Sequence, residues 1–204
     1  MERVSSLLSE VLVYTAFIPI PGFFGSLVLG RQVLRLFGSE FTGGFPLLVS
    51  LAALSIALSF DRQLRTVIDS LDYPGYTFRI NALFILLNLV LNIALIYYAG
   101  ALGAAIASLL SISATSVYSF YLLWEILEFD VPVYDIGLQF LGGGVMYTIV
   151  FGAMQIYPPT NPITTVLLGG FGAVVYVSVI VGISSEIRQK VVEVLNKLNS
   201  TTTH

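Results

Sequence analysis

Asn81, Asn88 and Asn92 stand in "NALFILLNLVLNI" (81–93), a stretch that is otherwise apolar. On an α-helix, at about 100° per residue, the three fall within about 40° of one another and form one narrow stripe. An amide carries both donors and acceptors, so the stripe has two possible uses. It can hydrogen-bond a neighbouring helix and hold it in place, or it can wall a wet cavity and bind sugar hydroxyls. An unpaired amide in hydrocarbon is expensive, so the stripe has to face protein or water. A second polar group lies just ahead, in "FDRQLRTVIDSLDYPGYTFR" (60–79). Arg62, Arg65 and Arg79 are balanced there by Asp61, Asp69 and Asp72. Guanidinium forks match phosphate oxygens; the plainer alternative is a topology-setting loop with local ion pairs.

No catalytic constellation accompanies these groups. The chain has no cysteine and a single histidine, His204, so no thiolate or histidine chemistry is expected. HExxH, GxSxG, a P-loop and a glycine-rich dinucleotide turn are all missing from the sequence. The acidic group at 125–135 sits in a loop with no histidine beside it. Neither an enzyme nor a bound metal or cofactor is expected.

The elements that must carry the polar groups follow from composition. The chain has 204 residues, 56% hydrophobic and only 10% charged, against about 25% charged in soluble domains. No charge occurs in 11–30, 42–60, 80–124 or 136–185. A membrane span needs about 20 mostly apolar residues, so the third and fourth runs are each long enough for two. An all-α, polytopic membrane bundle is predicted over 1–184, with helices near 8–30, 43–68, 77–98, 101–126, 134–157 and 162–184. The tail "SEIRQKVVEVLNKL" (185–198) is amphipathic. It reads as a helix at the cytoplasmic membrane surface or packed on the bundle, with a frayed end to residue 204. Met1-Glu2-Arg3 has neither the basic region nor the cleavage site of a signal peptide, so the first helix is expected to be an uncleaved span.

Lysine and arginine sort unevenly between the two sides. Arg3, Arg62, Arg65, Arg79, Arg188, Lys190 and Lys197 fall on one, and only Arg31 and Arg35 on the other. The positive-inside rule then places both termini in the cytoplasm of a cell-membrane protein.

Several positions should break or tighten helices. Pro19 and Pro21 fall inside the first span and should kink or unwind it. Gly142, Gly143 and Gly144 lie in the middle of the fifth helix, and "LLGGFG" (167–172) in the sixth. Glycine there costs roughly 1 kcal/mol relative to alanine, which close helix packing or a bending point would offset. In "GALGAAIAS" (100–108), Gly100, Ala104 and Ser108 form one small-residue row, with Gly103 and Ala107 beside it. Close packing on the preceding helix is expected.

An ordered set of short motifs carries a family resemblance. Phe37-Gly38-Ser39-Glu40-Phe41 opens it, followed by a helix and Pro74. Asn81 to Asn92, Tyr98-Ala99-Gly100 and Gly103-Ala104-Ala105-Ile106-Ala107 complete it. The stretch 36–111 resembles the polysaccharide-biosynthesis flippases of the multidrug/oligosaccharidyl-lipid/polysaccharide exporter superfamily, and 134–184 resembles their last helix pair. The resemblance implies two helical lobes that move lipid-linked oligosaccharides across the membrane by alternating access. It implies that this chain is the C-terminal portion of such a transporter, or a half-transporter completed by a partner chain. Membrane lipid and a lipid-linked glycan are the other partners implied, and no nucleic acid. On this basis Asn81, Asn88, Asn92, Arg62, Arg65 and Arg79 are candidates for the substrate path. Pro19, Pro21, Gly142, Gly143 and Gly144 are candidates for hinges. The competing readings are an ion-coupled drug exporter of the same superfamily and a truncated, non-transporting membrane subunit. The exporter reading would call for an acid within a span, and the one acid near an apolar run is taken to be Glu10.

Overall fold

The computed structural model describes residues 2–127, 131–159 and 161–183. The expected tail helix at 185–198 lies outside them. The described residues are helical, in six α-helices and one 3₁₀ turn: α1 (Glu2–Ala16), α2 (Pro19–Phe37), the 3₁₀ segment (Ser39–Gly44), α3 (Phe45–Ser70), α4 (Pro74–Leu127), α5 (Val133–Ile156) and α6 (Pro162–Ile183). Five helical stretches are long and apolar enough to cross a membrane, the first running Ser5–Phe37 across the α1–α2 break. The helices form two compact units, divided after Pro132.

In the first unit, the expected opening span is two helices. Pro19 has no N–H to continue the ladder of α1, and its ring would crowd the preceding turn. The chain therefore leaves α1 at Ala16, where Phe17 N–H bonds the Tyr14 carbonyl in a tightened last turn. Pro19 and Pro21 then sit in the first turn of α2, where a missing donor costs nothing.

The FG-x-E-F motif is the cap of α2. Gly38 has φ +145° and ψ +149°, a backbone region essentially reserved for glycine. A Cβ at Gly38 would stand 2.6 Å from a Glu40 carboxylate oxygen, which curls back over it. This turn sends the chain into α3.

α4 is 54 residues long, about 80 Å at about 1.5 Å per residue if it were straight. It is instead two arms, 74–99 and 101–127, joined at Gly100, whose φ of +55° and ψ of −131° are not helical. The third and fourth spans expected from sequence are these arms. They lie against each other just past the turn, where a Cβ on Gly103 would collide with the Leu95 carbonyl. Gly103, Ala105 and Ala107 are buried, while Ala104 and Ser108 are half-buried and Gly100 is exposed. The close contact therefore falls on the Gly103–Ala107 row rather than the Gly100–Ala104–Ser108 row.

The core of this unit gathers at one end of α3. Leu8 and Leu12 of α1, Leu64 and Ile68 of α3, Ile80 of the first arm, and Leu122, Leu123 and Leu127 of the second arm form one buried cluster. The buried residues of α3 are Asp61, Leu64 and Ile68, a single stripe at helical spacing. A carboxylate thus heads an apolar stripe.

The second unit pairs α5 with α6. Gly142 faces Ile180 and Tyr176, and Gly172 faces Val150 and Met146, so the helices run antiparallel. Gly142 and Gly143 are buried and Gly144 half-buried in an unbroken α5. Gln139 and Tyr176, each 1% exposed, lie in this contact, with the Tyr176 hydroxyl 3.4 Å from Gln139 Oε1.

Candidate functional site

The polar residues of α3 and α4 converge at the edge of the first unit's core. Asp61 and Arg65 are one turn apart on α3, the spacing that brings side chains together on a helix. Arg65 Nε donates to Asp61 Oδ2 at 2.6 Å. Arg65 Nη1 donates to Asn81 Oδ1 on the first arm of α4, also at 2.6 Å. From the second arm, the Ser116 hydroxyl approaches Asp61 Oδ1 at 3.3 Å and the Thr115 hydroxyl at 3.5 Å. These contacts are longer than ordinary O–H···O bonds. Thr115 has nearer acceptors in the Ser111 and Ile112 carbonyls, both at 3.1 Å. The strong contacts therefore tie α3 to the first arm, and the hydroxyls of the second arm cushion the carboxylate.

Asp61 is 4% exposed. A charge taken that far from water needs a partner, and Arg65 supplies it. The pair leaves the guanidinium as the wetter end, with the Arg65 side chain 20% exposed against 6% for Asp61. The expectation that Glu10 is the one acid near an apolar run is thereby corrected: Asp61 is a buried acid following the run 42–60. Two of the residues packed against it, Thr115 and Ser116, lie more than fifty residues away, so local sequence did not mark its burial. The available signal was the Asp-x-x-x-Arg spacing together with small hydroxyl residues at 111, 115 and 119 in an otherwise apolar run.

The other candidates distribute as follows. Asn88 and Asn92 bond within their own helix, with Asn92 Nδ2 2.8 Å from both the Asn88 carbonyl oxygen and Asn88 Oδ1. Both are half-buried, and Asn81 is exposed. Of the stripe, Asn81 makes the bond to another helix. Arg62 and Arg79 are exposed, and the Arg79 guanidinium lies 5.9 Å from the Tyr76 ring centroid. Arg65 is therefore the arginine built into the network. Across the α3–α4 turn, Thr77 donates to Asp69 at 2.6 Å. Pro19 and Pro21 mark a true helix break, whereas Gly142, Gly143 and Gly144 lie in a continuous helix.

The arrangement provides a neutralised guanidinium, amides able to donate and accept, and an apolar surround. That set suits binding of a polar, hydroxyl- or phosphate-bearing group. No family profile matches the chain. Over 200 residues, 97% of the chain, it is 32% identical to a "Probable flippase AglR" of Haloferax volcanii. By sequence the chain is similar to proteins named as flippases over most of its own length. A second relative in the same organism, "Probable low-salt glycan biosynthesis flippase Agl15", is 28% identical over 179 residues, 87% of the chain. The chain spans 42% and 38% of the lengths of these two flippases. Its fold also matches the solved structure "Lipid II flippase MurJ, inward closed conformation" with a TM-score of 0.68. That match has 18% identity and covers 87% of this chain and 39% of the flippase chain.

Proposed function

We propose that this chain is the C-terminal portion, or one half, of a flippase that carries a lipid-linked oligosaccharide or polysaccharide precursor across the cell membrane by alternating access. The observation that carries the reading is the 32% identity over 97% of the chain with a protein named as a probable flippase. The polar groups on α3 and α4 supply a physical means. Asn81 and Arg65 form an exposed polar edge, and Asn88 and Asn92 continue it along the first arm. In hydrocarbon such a line is stable only against protein or water, so a second lobe or partner chain facing it completes a wet path. The Lys/Arg sorting supports cytoplasmic termini, with the α3–α4 turn also inside.

An ion-coupled exporter is favoured by one feature, the buried acid Asp61. Its occupation by Arg65 at 2.6 Å weighs the other way, because the carboxylate is already neutralised. The test is glycan export in a strain deleted for the transporter that contains this chain. Restoration by the intact gene, with export per folded molecule lowered by Asn88→Ala, supports the flippase. Intact drug efflux with no glycan export would replace it by the exporter.

A further inference from the structure

Arg65 touches Asp61 through Nε alone. A guanidinium has five N–H groups, and the bonds to Asp61 and Asn81 account for two of them. With Nε on Asp61 and one Nη1 N–H on Asn81, Nη2 and the second Nη1 N–H remain as donors. The end edge of a guanidinium, Nη1 and Nη2, is the one whose paired N–H groups match two oxygens of a phosphate. Asn81 accepts through Oδ1, so its own N–H₂ remains a donor on this exposed residue beside Arg65. Asn81 is exposed and Arg65 is partly exposed, whereas Asp61 behind them is buried.

We propose that Arg65 and Asn81 form a phosphate-binding site on the α3–α4 hairpin, and that Asp61 is the positioning residue that holds the Arg65 fork edge outward. The ligand chemistry is a lipid-borne phosphate or diphosphate. It comes either from the carrier lipid of the transported glycan, which rests on the flippase reading above, or from a bilayer headgroup. Asp61 does two things. It neutralises an arginine that would be costly to keep at membrane depth. It also fixes the rotamer, so that the ligand meets an ordered donor pair and does not have to order a flexible side chain itself. Thr115 and Ser116 of the second arm lie against the carboxylate at 3.5 and 3.3 Å, so its surroundings depend on the hairpin being closed.

The probe is geranylgeranyl diphosphate, with geranylgeraniol as the phosphate-free control. The transporter containing this chain is reconstituted in phosphatidylcholine vesicles, and separately in vesicles containing phosphatidylglycerol. Asn81→Ala changes an exposed residue and should fold normally. The paired substitution Asp61→Asn with Arg65→Gln removes both charges together and leaves no unpaired ion. Each should weaken diphosphate binding about tenfold, the scale of a lost charge-assisted contact. Geranylgeraniol binding should not change, and Asp61→Glu should restore more binding than Asp61→Asn. Competition by phosphatidylglycerol assigns the phosphate to the bilayer; its absence assigns it to the carrier lipid, and either supports the site. A change in thermal stability with diphosphate affinity held within about twofold overturns the site. Loss of glycan export by the wild-type transporter would instead remove the flippase reading, whatever the binding result.

Discussion

At the residue scale, two positions show how much a single side chain decides. Gly38 holds a backbone conformation that only glycine adopts cheaply, under the Glu40 carboxylate. Gly38→Ala should cost about 1–3 kcal/mol. Gly43→Ala, where nothing stands within 4 Å of the new Cβ, should be close to neutral. Thermal unfolding of the two variants in detergent checks the difference. Asn92 bonds only to Asn88, in its own helix, among the hydrogen bonds of the described residues. Asn92→Ala should therefore change stability by less than about 0.6 kcal/mol, the average for a hydrogen bond between membrane helices. Export per folded molecule should nevertheless fall. Equal export per folded molecule would leave the amide with a purely local role. The stripe itself was legible from helical periodicity, because 81, 88 and 92 share a face in any α-helix. Its partners were not. Whether an amide bonds one turn along or across to another helix depends on neighbours that come from elsewhere in the chain. Asp61 is the sharper case: its spacing to Arg65 is visible locally, but its burial is made by helices that meet only in the folded hairpin.

At the element scale, the spans were readable because lipid imposes length and apolarity directly. The boundaries of α3, α5 and α6 fall within a few residues of expectation. The first span was expected to kink or unwind at its prolines, and it breaks there, just before Pro19; which of the two it would do was open, because proline is tolerated within a bend or at the start of a new helix. The chain takes the second, where the lost donor is harmless. The small-residue motif after Gly100 was also readable, but its facing row depends on the turn. A left-handed Gly100 rotates the second arm so that Gly103 meets the Leu95 carbonyl. Gly103→Ala pushes a methyl group into backbone, which cannot move aside as a side chain can. It should destabilise by more than Ala104→Leu, which adds bulk at a half-buried site where overpacking costs about 1–3 kcal/mol. Folded yield by fluorescence-detected size exclusion ranks the two. A larger loss for Ala104→Leu would mean that the arms meet along the other row.

At the scale of the whole molecule, the two units share one rule. Apolar stripes at helical spacing close on one another, and a polar pair is embedded in each: Asp61 with Arg65 in one, Gln139 with Tyr176 in the other. Wide apolar faces are left outside, as at Ile85, Leu89 and Ile93, which fits lipid or further helices of a longer transporter. The proposed orientation rests on charge alone and is open to a direct check in a cysteine-free chain. Ala99→Cys and Pro158→Cys should react with an impermeant maleimide from outside intact cells. Gly75→Cys should react only after permeabilisation. A reversed pattern would invert the topology and move the Arg65 site to the outer surface.

The Gly100 turn bears finally on how the protein is made. The run 80–124 has no charged residue, and Tyr97 and Tyr98 beside the turn are 84% and 82% exposed. The first arm of α4 is followed by no charged residue that could mark a stop before the second begins. A turn this short and uncharged suits insertion of the two arms together as one hairpin, with the tyrosine pair placed as aromatic anchors are at a membrane interface. Inserted that way, the arms would make the Gly103–Leu95 contact as they enter the bilayer.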